Sequence, residues 1–189
     1  MSLPAIIAKI PDYAHDIKKN FEELFTKQVE GLSDAQVYGI ALACCYSLKN
    51  DYLLHNFKRV AQLYIEDNYS EATRIAAILM AMNNTYYNFA NEFDDADIHS
   101  MPSDLAMTKL TEHGINKTDF EMFITAISIL NKCKYCMNLH GKRLLKHGVS
   151  KIALKNIGRI AAILKGTSEA LEIQKIRSYD LSAGQPSMQ

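Results

Sequence analysis

The sequence has no excess of charge of either sign, since 21 lysines and arginines balance 21 aspartates and glutamates. Dedicated nucleic-acid-binding proteins usually carry a basic excess, so this class is not expected. No run of about 18 apolar residues is present, so we expect no membrane span. The first residues also lack the apolar core of a signal peptide, because Lys9, Pro11 and Asp12 follow Ile6 and Ile7 directly.

Cysteine is scarce as well, and its placement bears on the compartment. The four cysteines form two close pairs, Cys44–Cys45 and Cys133–Cys136. A secreted disulfide scaffold would be shorter and would spread its cysteines along the chain. One catalytic pair in a reducing cytoplasm fits the pattern better. The zero net charge gives little help to solubility, so we also expect a homo-oligomer.

Signals for β-strands are nearly absent, whereas helix signals recur about every 15 to 20 residues. The pattern predicts an all-α fold of eight or nine helices. The predicted helices cover Pro11 to Phe25, Ser33 to Leu48, Asn50 to Tyr64, Ser70 to Ala90, Pro102 to His113, Thr118 to Leu130, the cysteine motif to His147, Ser150 to Gly166, and a last segment to about Tyr179. Asp94 to Ser100 is predicted as a loop. We expect one helical domain over residues 1–180 and a disordered tail over residues 181–189.

Polar residues that favour helix starts support several of these boundaries. The predicted N-caps are Ser33, Asn50, Ser70, Thr118 and Ser150, and two of them form capping-box patterns, Ser33 with Gln36 and Thr118 with Glu121.

The stretch that carries chemistry is Cys133-Lys134-Tyr135-Cys136-Met137-Asn138-Leu139-His140. On an ideal helix Cys136 and His140 lie about 60° and about 20° from Cys133 in projection, so the three side chains share one face. Thiols at i and i+3 can close a disulfide with modest adjustment. His140 follows Cys136 by four positions, the spacing at which helical side chains meet.

Such an arrangement suits thiol chemistry with peroxides. An ordinary thiol with a pKa of about 8.5 is only about 3% thiolate at neutral pH, and lowering its pKa by about two units would raise that share to about 75%. A neighbouring imidazole or a helix N-terminus can lower the pKa in this way. Thiolate attack on a peroxide gives a sulfenic acid, which a second thiol converts into a disulfide.

Other interpretations of the motif stay open at this point. Zinc could use Cys133, Cys136 and His140 with a fourth ligand, although the first and last of these lie about 10 Å apart along a helix axis. A thioredoxin-like motif expects a βαβ context, which the sequence does not predict. The pair could also be two buried structural cysteines beside a hydrogen-bonded histidine.

The sequence resembles the alkylhydroperoxidase AhpD family, within the carboxymuconolactone-decarboxylase-like group. That family's signature is a glutamate, eleven intervening residues and then CxxCxxxH, which Glu121, Cys133, Cys136 and His140 match. Three further stretches are similar, namely Pro11 to Lys18, Met80 to Tyr87 and Asn116 to Glu121. The resemblance covers about residues 4 to 178.

The resemblance implies an all-α fold, usually assembled as a trimer or a higher oligomer, and peroxidase activity with a disulfide intermediate. It assigns Cys136 as the peroxidatic thiolate and Cys133 as the resolving thiol, with Glu121 and His140 as a proton relay. It implies no bound cofactor. An external dithiol such as dihydrolipoamide, or a lipoyl-bearing carrier protein, would recycle the enzyme, and a peroxiredoxin can be a partner.

Several residues allow more than one interpretation. Many family members have a histidine where this chain has Tyr135, which cannot act as a base near neutral pH, so resolution or carrier choice can differ. Glu121 can be a cap residue, a relay residue or both. Asn83 and Asn84 can bond a neighbouring backbone or line a subunit contact.

The remaining residues of note are interpreted as structural. Cys44 and Cys45 are predicted to be small core residues. His113 and His147 are predicted to lie at helix C-termini, where a cation suits the helix dipole.

Two other function classes are weighed against a peroxidase. A lactone decarboxylase of the related group is one, although its chemistry needs no CxxC pair. A non-enzymatic, redox-responsive helical assembly protein is the other.

Overall fold

The chain forms an all-α structure, as predicted. The computed structural model describes residues 3–183, with side chains described through residue 176 apart from His99. Nine α-helices lie within the described residues: α1 Leu3–Lys9, α2 His15–Thr26, α3 Asp34–Leu48, α4 Asp51–Ala61, α5 Asp67–Glu92, α6 Ala96–Ser100, α7 Lys117–Leu130, α8 Lys134–Lys146 and α9 Lys151–Ala183. Short 3-10 helices cover Asp12–Ala14 and Thr108–Leu110. None of the helices in residues 3–183 is both long enough and apolar enough to cross a bilayer.

Helix α3 lies at the centre of the fold. Its residues 37–45 are buried on every side, which is the pattern of a helix surrounded by others. It contacts α4, α5, α7 and α9. Gly39 permits a close approach of α5 and α7, because a Cβ there would lie 2.6 Å from ring atoms of both Phe123 and Tyr69. The central helix thereby holds α5 and α7, the helices behind the candidate site, in fixed positions.

Three of the predicted N-caps are confirmed. Ser33 and Gln36 form the predicted capping box, the Asn50 side chain accepts from the Leu53 amide at 2.8 Å, and Ser150 accepts from the Ala153 amide at 3.1 Å. In each case a side-chain oxygen satisfies an amide that has no partner inside the helix.

Two predicted N-caps are wrong. Helix α5 begins at Asp67 rather than at Ser70, which lies buried in its first turn. Thr118 lies inside α7, which Asn116 caps by accepting from the Thr118 amide at 2.8 Å. Asn116 is a stronger N-cap than threonine and comes two residues earlier, so the helix starts there.

The predictions for the segment between α5 and α7 are also partly wrong. The predicted loop at Asp94–Ser100 contains the short helix α6, whose N-cap Asp95 accepts from two backbone amides. The predicted helix from Pro102 to His113 is reduced to the 3-10 turn Thr108–Leu110, and residues 102–107 have no regular structure.

The predicted break at Gly166 does not occur, and α9 runs through it to Ala183. A Cβ at Gly166 would lie 2.7 Å from Cδ1 of Ile17, so this glycine admits a close contact with α2. The predicted domain end at residue 180 falls within α9, and residues 184–189 of the predicted tail lie outside the described residues.

Candidate active site

Cys133 and Cys136 lie at the start of α8, directly after a tight turn from α7. The turn is a Schellman motif, in which the amides of Cys133 and Lys132 donate to the carbonyls of Ser128 and Ile129 at 3.0 and 3.1 Å. Lys132 takes the left-handed conformation with a φ of 56°, where a non-glycine residue costs about 1 kcal/mol. This turn fixes the direction from which the chain enters α8.

The two sulfur atoms are 2.6 Å apart and both side chains are buried. Cys133 is the N-cap of α8 rather than a residue of its first turn, and its Sγ accepts from the Cys136 amide at 3.3 Å. The prediction that both cysteines lie on one helix face therefore needs correction at Cys133. A small shift would bring the sulfurs to the bonding distance of about 2.05 Å.

His140 lies one helical turn after Cys136 on α8 and is 5% exposed. Its Nδ1 lies 2.8 Å from Oε1 of Glu121, a residue of α7. A carboxylate at this distance accepts from Nδ1–H, which leaves the Nε2 lone pair able to take a proton. Nη1 of Arg143, one turn further along α8, lies 3.8 Å from the same Glu121 oxygen. No pattern in the sequence pointed to Arg143.

Glu121 therefore takes no part in capping α7. The Asn116 side chain caps that helix, whereas the Glu121 carboxylate faces α8 and bonds the buried imidazole. The sequence left two interpretations of Glu121 open. Its contact with His140 is present, whereas the observed cap of α7 is Asn116.

Burial raises the pKa of the Cys136 thiol to about 12, and its contact with Cys133 acts in the same direction. A hydrogen bond from Asn84 and the helix backbone act oppositely and lower it. The sequence-based expectation of a lowered pKa is thus not met in the resting site. A raised pKa favours the protonated thiol, so a base has to remove the proton when Cys136 reacts.

Asn84 belongs to a buried hydrogen-bond network behind the cysteines. Its side chain is 1% exposed, donates to Oγ of Ser128 at 3.1 Å and accepts from Nδ2 of Asn131 at 2.9 Å. Asn88, one turn later on α5, donates to the Asn131 carbonyl at 3.3 Å. The network links α5 to the end of α7, and so to the turn that places Cys133.

The sequence contained one signal for this network, the pair Asn83-Asn84 in the middle of a long helix, where asparagine is disfavoured. Asn84 bonds side chains of another helix rather than its own backbone. Asn83 is also buried, and its Oδ1 has no hydrogen-bond partner in the part of the chain that the structure describes.

Tyr135 stacks on Tyr87 of α5 with ring centroids 5.0 Å apart and planes inclined by 22°. Its ring is half-exposed and packs the first turn of α8 against α5. In this position it contributes an aromatic contact of about 0.5–1.5 kcal/mol.

Cys44, Cys45, His113 and His147 were predicted to be structural residues. Cys44 and Cys45 are fully buried in α3, as predicted, and burial raises the pKa of Cys44 to about 12. His147 is the C-cap of α8, as predicted. His113 is not at a helix end, and its ring stacks on Phe120 at 4.0 Å.

Metal binding was one of the open interpretations of the cysteine motif. Within the described residues, no group of three or more histidine, cysteine, aspartate or glutamate side chains is placed to hold a metal ion.

Comparisons with known proteins bear on the same residues. The model of the carboxymuconolactone decarboxylase family matches residues 96–175, which contain all four predicted site residues. The chain is 34% identical over 167 residues to an alkyl hydroperoxide reductase AhpD of Coxiella burnetii, covering 88% of this chain and 94% of that protein. A protein of the same name from Methylocella silvestris is 31% identical over 95% of this chain and 99% of its own length. Another from Rhodopseudomonas palustris is 33% identical over 91% of this chain.

Proposed function

Because the chain belongs to the AhpD family of alkyl hydroperoxide reductases, we propose that it reduces organic hydroperoxides through a Cys133–Cys136 disulfide cycle. It is a peroxidase-type oxidoreductase. The observation that supports this cycle best is the position of the paired sulfurs at the start of α8, where Cys136 lies one helical turn before the buried His140–Glu121 pair. Structural cysteines would not need a buried histidine–carboxylate pair one helical turn away.

In the first step Cys136 is the nucleophile. His140 takes the thiol proton on Nε2, and the adjacent Glu121 carboxylate stabilises the imidazolium that forms. The thiolate attacks the outer oxygen of the hydroperoxide, so an S–O bond forms and the O–O bond breaks. The departing alkoxide takes a proton from His140 and leaves as an alcohol, and Cys136 becomes a sulfenic acid.

In the second step Cys133 resolves the sulfenic acid. Its sulfur attacks that of Cys136, the S–S bond forms, and the hydroxyl group leaves with the Cys133 proton as water. Two thiols and one hydroperoxide thus give one disulfide, one alcohol and one water.

Asn84 is a positioning residue in this scheme. Its amide donates towards Cys136 while Ser128 and Asn131 hold its orientation. A fixed donor costs no reorganisation when negative charge develops on the sulfur. It therefore offsets part of the unfavourable burial of the thiolate.

Recycling of the disulfide needs an external reductant and no bound cofactor. A dithiol such as dihydrolipoamide, free or on a lipoyl-bearing carrier protein, would exchange with the Cys133–Cys136 disulfide and leave as its own disulfide. A peroxiredoxin is the other partner that family membership suggests. A cytoplasmic location and a homo-oligomer, a trimer or larger, complete the proposal.

Turnover of a hydroperoxide with dihydrolipoamide tests the cycle. Cys136→Ser should abolish turnover, whereas Cys133→Ser should lose turnover yet still form a sulfenic acid at Cys136 that a dimedone-type probe traps. Cys44→Ala, which removes a thiol outside the site, should keep most of the activity. Labelling of Cys133 at wild-type rate in Cys136→Ser would reverse the two roles, and no turnover by wild type would reject the proposed function.

A further inference from the structure

A groove of about 710 Å³ lies between the end of α3 and the middle of α5. Its α5 wall is formed by Arg74, Ala77, Ile78 and Ala81, which recur at the helical spacing of three and four residues. The volume falls in the range of small-molecule sites, about 300–1,000 Å³. Ile78 is 72% exposed, so the wall offers apolar surface to a ligand.

The inner end of this groove is formed by the hydrogen-bond network beside the candidate active site. Asn84 and Asn131 line it, and the same two side chains bond each other behind the cysteines. Asn84 also reaches Cys136. Two other grooves of the described structure, near α1 and near α2, include no residue of the site in their linings. The groove therefore ends at Asn84, the residue whose side chain also bonds Cys136.

The groove is also positively charged. Lys49 and Arg74 are exposed side chains of its lining, which includes no carboxylate. Neither cation has an ion-pair partner among the described residues. Lys49 is the C-cap of α3 in the left-handed conformation, with a φ of 56°, so the end of α3 sets its position. Arg74 lies about 15 Å from Asn84 along α5, at 1.5 Å per residue.

We propose that this groove binds an organic hydroperoxide that carries a carboxylate, such as a hydroperoxy fatty acid. Its peroxide group lies at Asn84, its apolar chain lies along Ile78 and Ala81, and its carboxylate interacts with Lys49 and Arg74. This assignment rests on the proposed function and adds the substrate class. A neutral hydroperoxide would gain the apolar contacts but not the charge interaction, so the groove selects for the acid.

The test compares a hydroperoxy fatty acid with its methyl ester, using dithiothreitol as an uncharged reductant. Charge interactions at exposed side chains are modest, so wild type should prefer the acid by about fivefold in kcat/KM. The double variant Lys49→Gln with Arg74→Gln should bring the ratio of acid to ester close to one. Higher salt should reduce the wild-type preference in the same direction. Arg59→Gln, which removes a cation of α4 outside the groove, should keep the preference and the activity.

Two further measurements separate the alternatives. Ala81→Phe narrows the groove and should lower kcat/KM for the fatty-acid hydroperoxide relative to hydrogen peroxide about tenfold, whereas the exposed Ala162→Phe should not. The second measurement compares dihydrolipoate with dihydrolipoamide as the reductant, at a fixed concentration of tert-butyl hydroperoxide. It determines whether Lys49 and Arg74 bind the carboxylate of the reductant rather than that of the peroxide.

The assignment would be overturned if wild type showed no preference for the acid peroxide, or if the preference survived in the double variant. It would also be overturned if a preference for the acid were found only for the reductant. Wild-type turnover of tert-butyl hydroperoxide in the same experiments would show that the proposed function holds even so.

Discussion

Replacement of Glu121 by glutamine removes a charge beside His140 while keeping the shape of the side chain. The carboxylate is 16% exposed and lies 2.8 Å from Nδ1 of His140. The glutamine amide oxygen can accept the same hydrogen bond, so the imidazole should keep its orientation. A hydrogen bond to a charged group contributes about 1.5–3 kcal/mol and one between neutral groups about 0.5–1.5 kcal/mol. The midpoints of these ranges differ by about 1.3 kcal/mol, which predicts a roughly tenfold loss of peroxidase rate.

The same substitution should leave the stability of the protein nearly unchanged. Glutamine and glutamate have similar helix propensities, and Glu121 has no part in capping α7. Asn116→Ala should instead cost about 1 kcal/mol in the free energy of unfolding, because it removes the observed cap. Thr118→Ala should cost much less, since its hydroxyl does not start the helix. Thermal melting of the three variants checks this order.

Two measurements on Glu121→Gln test the relay itself. Steady-state hydroperoxide consumption with dihydrolipoamide gives the rate, and alkylation of Cys136 across the alkaline range reports its pKa. Burial already raises that pKa, and loss of the carboxylate disfavours the imidazolium–thiolate pair, so the pKa should rise further. Asp119→Asn is the control, because it removes the same charge from α7 at a residue that bonds Gln36. Wild-type rate together with a wild-type alkylation profile in Glu121→Gln would refute the relay.

The other predictions concern the network, the core and the assembly. Asn84→Leu should slow peroxide reduction and the alkylation of Cys136. Asn83→Leu should slow neither, because the buried oxygen of Asn83 has no partner in the described structure. Equal effects of the two substitutions would remove Asn84 from the mechanism. Gly39→Ala should lower the free energy of unfolding by about 1–3 kcal/mol, measured by urea denaturation, whereas Gly158→Ala, with no atom closer than 3.9 Å, should not lower it. Because burial raises the pKa of Cys44 to about 12, stability should fall as the pH rises from about 9, the usual thiol value, towards 12, and Cys44→Ala should flatten that decline. Sedimentation at micromolar concentration should give a mass above the 21.3 kDa of one chain, and a monomer would contradict the oligomer.

The sequence by itself determined the fold class and the chemistry-bearing motif. Helical spacing of apolar residues and nearby caps act within a few residues, so Ser33, Asn50 and Ser150 predicted their helix starts correctly. The spacing of the cysteine motif likewise indicated that His140 follows Cys136 by one helical turn. Glu121 was singled out through the family resemblance, before the distance between α7 and α8 was known.

Only the tertiary structure decided the features that depend on contacts between distant helices. Gly166 does not break α9, because it accommodates Ile17, a residue about 150 positions earlier. Asn84 meets Ser128 and Asn131 across α5 and α7, and no local pattern specifies which partners a buried amide will find. The raised pKa of Cys136 has the same origin, since burial depends on every helix packed around the thiol rather than on its neighbours in sequence.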